Sequence, residues 1–298
     1  GDFQDPIAVS PLVHCLQTAR DPEVVQVAAL ALASLGEVAI APLTAALADP
    51  EQCAMALQAL TQIHHPAIVD PLLTVVNHPD PQLRALIIEA LSNVQQPRLV
   101  PVLIAALQDH HAPVRKAAVI GLGLWATTGH SPIELFPVLQ PCLRDFNLEV
   151  CQQAAIALGR LGNPAAVTVL AQLIPAATTP WPLQREAIRA LGRIASPPMV
   201  TALQDLLPAV TSESQVEIIQ ALGRLETQVL KPQAAQVLLD FFHQASNPEA
   251  LSLPVLKELT QAWARLGSPI ARNALQQLAR SSVATVRLHG IAALKHLE

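Results

Sequence analysis

Aligned on one leucine, the chain shows a single arrangement of apolar and polar positions from one end to the other. Leu32, Leu60, Leu91, Leu122, Leu158, Leu191, Leu222, Trp263 and Leu294 recur at intervals averaging about 33 residues. With that residue as position zero, apolar side chains fill −8, −4, −3, −1, 0 and +3, as in Val150, Ala154, Ala155, Ala157, Leu158 and Leu161. This is a helical period with a wide buried stripe. A first apolar segment precedes each such helix and carries a proline 18–21 residues before the aligned leucine in five units: Pro11, Pro42, Pro71, Pro101 and Pro137. Inside a helix each would remove one hydrogen bond and bend the segment. A two-helix unit repeated at this period cannot bury its apolar face alone and stacks on its neighbours. The expected fold is therefore all-α, a right-handed α-solenoid of about nine helical hairpins over residues 1–298.

The pentamer "ALGRL" at Ala157–Leu161 returns as "ALGRI" at Ala190–Ile194 and as "ALGRL" at Ala221–Leu225. Its glycine occupies +1, where Gly123, Gly159, Gly192 and Gly223 stand, with Ala33 and Ala264 in the same role. Glycine in a helix costs about 1 kcal/mol relative to alanine, so close packing of adjacent helices is its expected purpose. A phosphate-binding reading fails, because no strand precedes the pentamer and neither G-x-x-x-x-G-K-[ST] nor G-x-G-x-x-G is present.

The segments "EVAIAPLTAALADPEQCAMALQALTQI", "PAIVDPLLTVVNHPDPQLRALIIEALSNV" and "PRLVPVLIAALQDHHAPVRKAAVIGLGLW" resemble HEAT repeats, in particular the short HEAT-like class of phycobilisome lyases. The resemblance covers nearly the whole chain. It implies a protein-binding solenoid or, more narrowly, a cyanobacterial phycobilin lyase subunit that holds a bilin tetrapyrrole and works with a second HEAT-like chain. The family's arginine after the apolar residue that opens the second helix is kept as Arg84, Arg115 and Arg287. It is replaced by Val25, Cys53, Cys151, Gln184, Gln215 and Leu256, which puts its usual turn contacts in doubt in those units.

Composition agrees with an all-helical chain: there is no Tyr and there are only 5 Phe and 3 Trp, while 51% of residues are apolar. The net charge of −5 conceals a division. Residues 1–149 hold 6 Lys/Arg against 14 Asp/Glu, and residues 150–298 hold 12 against 9. Neither half has the concentrated basic stripe or interleaved aromatics of a nucleic-acid binder. The four cysteines have no C-x-x-C spacing, and no apolar run reaches the roughly 18 residues of a membrane span. A cytoplasmic protein is expected.

Positions −5, −2 and +2 of the second helices lie off the apolar stripe and would line the concave wall of a solenoid. In units five to eight they supply Arg160, Glu186, Arg189, Arg193, Glu217, Gln220, Arg224, Glu258, Gln261 and Arg265, a mixed and mildly basic face suited to carboxylates on a protein partner. In units one to four they supply an apolar groove of Val27, Leu30, Met55, Leu86, Ile120 and Leu124, suited to an amphipathic helix or a hydrophobic cofactor. His64-His65, His78 and Asp109-His110-His111 fall in turns without metal-ligand spacing, so no metal is expected. No activated nucleophile or paired carboxylates mark a catalytic centre. The leading expectation is a non-catalytic interaction scaffold or assembly factor, with a bilin-handling subunit and an iron–sulfur delivery scaffold as alternatives and no cofactor of its own.

Overall fold

Every aligned leucine falls in the second helix of a hairpin, and that periodic pattern organises the whole fold. The structure, a computed structural model, describes residues 6–19, 21–94, 96–125, 132–245 and 251–296. The chain divides into two compact units, Gly1–Thr128 and Gly129–Glu298. In the first unit, first and second helices alternate as α1 (Val9–Thr18) and α2 (Pro22–Ser34), α3 (Ile40–Ala46) and α4 (Pro50–Gln62), α5 (Val69–Thr74) and α6 (Pro81–Asn93), α7 (Val100–Ala106) and α8 (Ala112–Trp125). In the second unit they are α9 (Pro132–Leu139) and α10 (Leu148–Leu161), α11 (Ala166–Ala171) and α12 (Trp181–Ile194), α13 (Pro197–Leu206) and α14 (Ser212–Gly223), α15 (Lys231–Gln244) and α16 (Leu253–Leu266), α17 (Arg272–Leu278) and α18 (Ala284–Lys295). The nine hairpins expected from the repeat are thus present.

Second helices stack on second helices: α2, α4, α6 and α8 in one unit, α10, α12, α14, α16 and α18 in the other. The aligned residue is fully buried from Leu32 through Trp263, and Trp263 packs edge-on against Phe242 with ring centroids 5.7 Å apart. At three joints of the second unit, α10–α12, α12–α14 and α14–α16, the glycine at +1 meets the alanine at −1 of the next second helix. A Cβ added to Gly159 would lie 2.8 Å from Ala190 Cα, one at Gly192 3.2 Å from Ala221 Cβ, and one at Gly223 2.6 Å from Ala262 Cβ. Between α6 and α8 the partition is reversed, with Ser92 at +1 and the glycine, Gly121, at −1.

The prolines behave differently from the expected kinks. A 3₁₀ turn precedes α1, α3, α5 and α7, so Pro11, Pro42, Pro71 and Pro101 fall in the first turn of a short α-helix, where a missing N–H is no loss. Only Pro137 lies inside its helix. Asp-Pro pairs open α2, α4 and α6: Asp21, Asp49 and Asp80 each accept a backbone N–H two residues on, at 2.8–3.0 Å. These caps satisfy donors that the helix leaves free.

Candidate interaction face

The joints bring α10, α12, α14 and α16 side by side, and their −5, −2 and +2 positions form one continuous face of the second unit. The acidic side chains on it are not free. Glu186 and Glu258 are buried, and Glu217 is largely so. Position −5, expected to be open, instead faces the neighbouring second helix. The long polar side chains around it cover its carboxylate, which being buried requires a partner.

Those partners come from the same face. Glu186 accepts from Arg189 at 3.1 Å, with Arg185 Nε 3.8 Å away. Arg189 also crosses from α12 to α14 and grips Glu217 with two bonds, Nε to Oε2 at 3.3 Å and Nη2 to Oε1 at 3.2 Å. Glu258 accepts from Arg265 Nη2 at 2.7 Å and from Gln220 Nε2 at 3.1 Å, and the same Arg265 nitrogen reaches Gln261 Oε1 at 3.2 Å. Arg189, Arg265 and Gln220 therefore serve the glutamates.

What remains is cationic. Arg160, Arg193 and Arg224 are exposed and have no side-chain hydrogen bond or ion pair to any described residue. Each stands at the C-terminal end of its helix, a position where a cation gains about 0.3–1 kcal/mol from the helix dipole. Arg193 and Arg224, with Arg189, Glu217 and Gln220, rim a cleft of about 420 Å³ floored by Gly192 and Ala221. The arginines at +2, Arg160, Arg193, Arg224 and Arg265, form a ladder of which three rungs are available; Arg265 is drawn off by Glu258.

The groove expected in the first unit is only partly open. Val27 and Leu30 on α2 are well exposed, whereas Met55, Leu86, Ile120 and Leu124 are half-buried in the stack. The turn histidines act as local caps, with His65 Nδ1 accepting from Ala67 N and His78 Nδ1 from Asp80 N. Among the described residues no three His, Cys, Asp or Glu side chains converge as metal ligands, and no helix is long and apolar enough to cross a membrane.

The turn contacts are present where the arginine is kept, and another side chain makes them in three of the six units that lack it. Arg84 Nη1 donates to His78 O, Arg115 Nη1 to Asp109 O and Arg287 Nη1 to Ser281 O, at 2.8–2.9 Å. In three of the units that lack it, Cys151 Sγ reaches Asp145 O at 3.1 Å, Gln184 Nε2 reaches Thr179 O at 2.9 Å and Gln215 Nε2 reaches Leu207 O at 3.2 Å. Burial, helped by the charge of Asp145, pushes the Cys151 thiol up and keeps it a donor. Sequence reasoning passed over these three, although each stands at the arginine's own repeat position.

Residues 40–123 and 100–180 match the HEAT-repeat family. No curated protein matches the chain in sequence. Among solved structures it is similar to Kap121p, at 12% identity and a TM-score of 0.61 over 98% of this chain and 38% of that one. It is also similar to yeast importin-beta (Kap95p), at 13% identity and a TM-score of 0.62 over 98% and 46%. Human deoxyhypusine hydroxylase aligns over 87% of this chain and 95% of its own at 21% identity, with a TM-score of 0.37 that carries no weight for the fold. The chain spans less than half of either of these two proteins, and at such identities the likeness concerns architecture alone. The protein is an all-α solenoid of the HEAT and importin kind, and its residues 40–180 carry the sequence pattern of HEAT repeats.

Proposed function

We propose that the protein is a non-catalytic scaffold whose second-unit face binds an acidic segment of a partner protein, with Arg160, Arg193 and Arg224 as the contacting cations. One observation carries this reading: three successive second helices present guanidinium groups without internal partners, while every glutamate between them is already paired. Stacked helical repeats offer extended surfaces of this type to proteins, and an exposed guanidinium pairs readily with carboxylates. An assembly-factor role is the natural use of such a grip. The bilin-handling alternative draws less support, since Trp125 and Trp263, two of three indoles available for stacking on a tetrapyrrole, lie in the cores of their units.

The test is to reverse the three arginines together, Arg160→Glu, Arg193→Glu and Arg224→Glu, and to measure capture of the partner that co-purifies from the native source. Loss of capture with unchanged helicity is expected. Undiminished capture would remove this face from consideration.

A further inference from the structure

The face carries a spacing as well as a charge. At two successive joints the register of the contact is the same: Gly159 on Ala190, then Gly192 on Ala221, in each case +1 of one second helix against −1 of the next. The step from Arg160 to Arg193 is therefore repeated from Arg193 to Arg224. Glycine-to-alanine contacts hold the helices near the short end of the roughly 8–10 Å range of interaxial distances. The two-residue offset adds about 3 Å along the axis. The rungs accordingly recur at about 9 Å.

That distance selects among peptide conformations. A polyproline-II segment rises about 3.1 Å per residue with three residues per turn, so residues i, i+3 and i+6 lie on one side about 9 Å apart. A β-strand repeats one face at about 6.6 or 13 Å and misses the rungs. An α-helix comes near the step only at i, i+7, about 10.5 Å, and needs two turns for each rung. A slender polyproline-II chain also fits the cleft between Arg193 and Arg224, whose floor of Gly192 and Ala221 has little side-chain volume.

Building on the acidic-segment reading above, we infer that the three arginines receive a polyproline-II stretch of the partner with a carboxylate at every third residue, acidic-x-x-acidic-x-x-acidic. The ladder has three rungs because the fourth arginine, Arg265, is held by Glu258 and Gln261. Seven residues of ligand are enough to occupy it.

Two peptides of identical composition test the spacing, Glu-Pro-Pro-Glu-Pro-Pro-Glu and Glu-Glu-Glu-Pro-Pro-Pro-Pro, each labelled for fluorescence anisotropy with the full chain. At physiological salt the screening length is about 8 Å, close to one rung, so clustered carboxylates engage a single arginine. The phased peptide is expected to bind about tenfold more tightly, through two further ion pairs. Arg193→Gln, which removes the middle rung, should abolish that advantage while leaving the helical content intact. Equal affinity of the two peptides, with both weakened by Arg193→Gln, would overturn the spacing and leave the acidic-segment reading standing. Failure of both peptides to bind, or binding indifferent to all three arginines, would overturn both.

Discussion

Asp109 shows how much one side chain can hold at a turn. Its carboxylate takes two bonds from Arg84, Nε to Oδ2 at 2.8 Å and Nη2 to Oδ1 at 3.0 Å, and a third from His111 N at 2.8 Å. The Arg84 guanidinium, ahead of the backbone donor, lowers its pKa from 3.8 to about 2. A depressed carboxylate contributes stability that is complete above its unfolded pKa and is lost as pH falls through the folded one. Between about pH 4 and pH 2 the protein should therefore lose roughly 2 kcal/mol from this group. Asp109→Asn should flatten that part of the acid-denaturation curve; an unchanged curve would refute the assignment. Ala195 offers a second case. It ends α12 at φ 44°, whereas glycine takes the equivalent left-handed position after α10 and α16, at Gly162 and Gly267. Ala195→Gly should raise stability by about 1 kcal/mol, read as an upward shift of the thermal midpoint.

Between helices, the joint is what the repeat protects. Gly159 and Gly223 leave less than 3 Å for a new methyl carbon, and the obstacle includes the backbone of the next helix, whereas Gly192 leaves 3.2 Å to a methyl. Alanine gains about 1 kcal/mol of helix propensity, but overpacking costs about 1–3 kcal/mol. Gly159→Ala and Gly223→Ala should thus destabilise the protein in urea, and Gly192→Ala should be close to neutral. Three equal effects would mean that the joints are looser than they look. Helices and joints were legible in the sequence because a period near 33 residues fixes both the buried stripe and the small +1 residue. The fate of the prolines was not. Whether Pro42 bends a helix or starts one depends on the 3₁₀ turn at Gly36–Ala39, which leaves no apolar period of its own.

Over the whole chain, charge was legible in amount but not in availability. The excess of Lys/Arg after residue 149 stands in the composition. Which of those cations stay free is decided by pairings such as Arg189 with Glu217, 28 residues apart, that exist only once two repeats have stacked. The same holds for the glutamates: position −5 reads as solvent-facing on an isolated helix, and Glu217 and Glu258 are covered only once the preceding second helix packs against theirs. The division into two units falls at Thr128, ahead of the change in charge, so the acidic composition of the first half runs into the start of the second unit.

The missing side chain at Gly159 reaches further than its own joint. A comb of arginines keeps time only if its teeth are mounted at even intervals, and here the mounting is set by hydrogen atoms on the glycines beneath. A methyl group placed there would push two teeth apart without altering a single charge, so on the reading proposed above the choice of ligand is adjustable from a floor that the ligand scarcely touches.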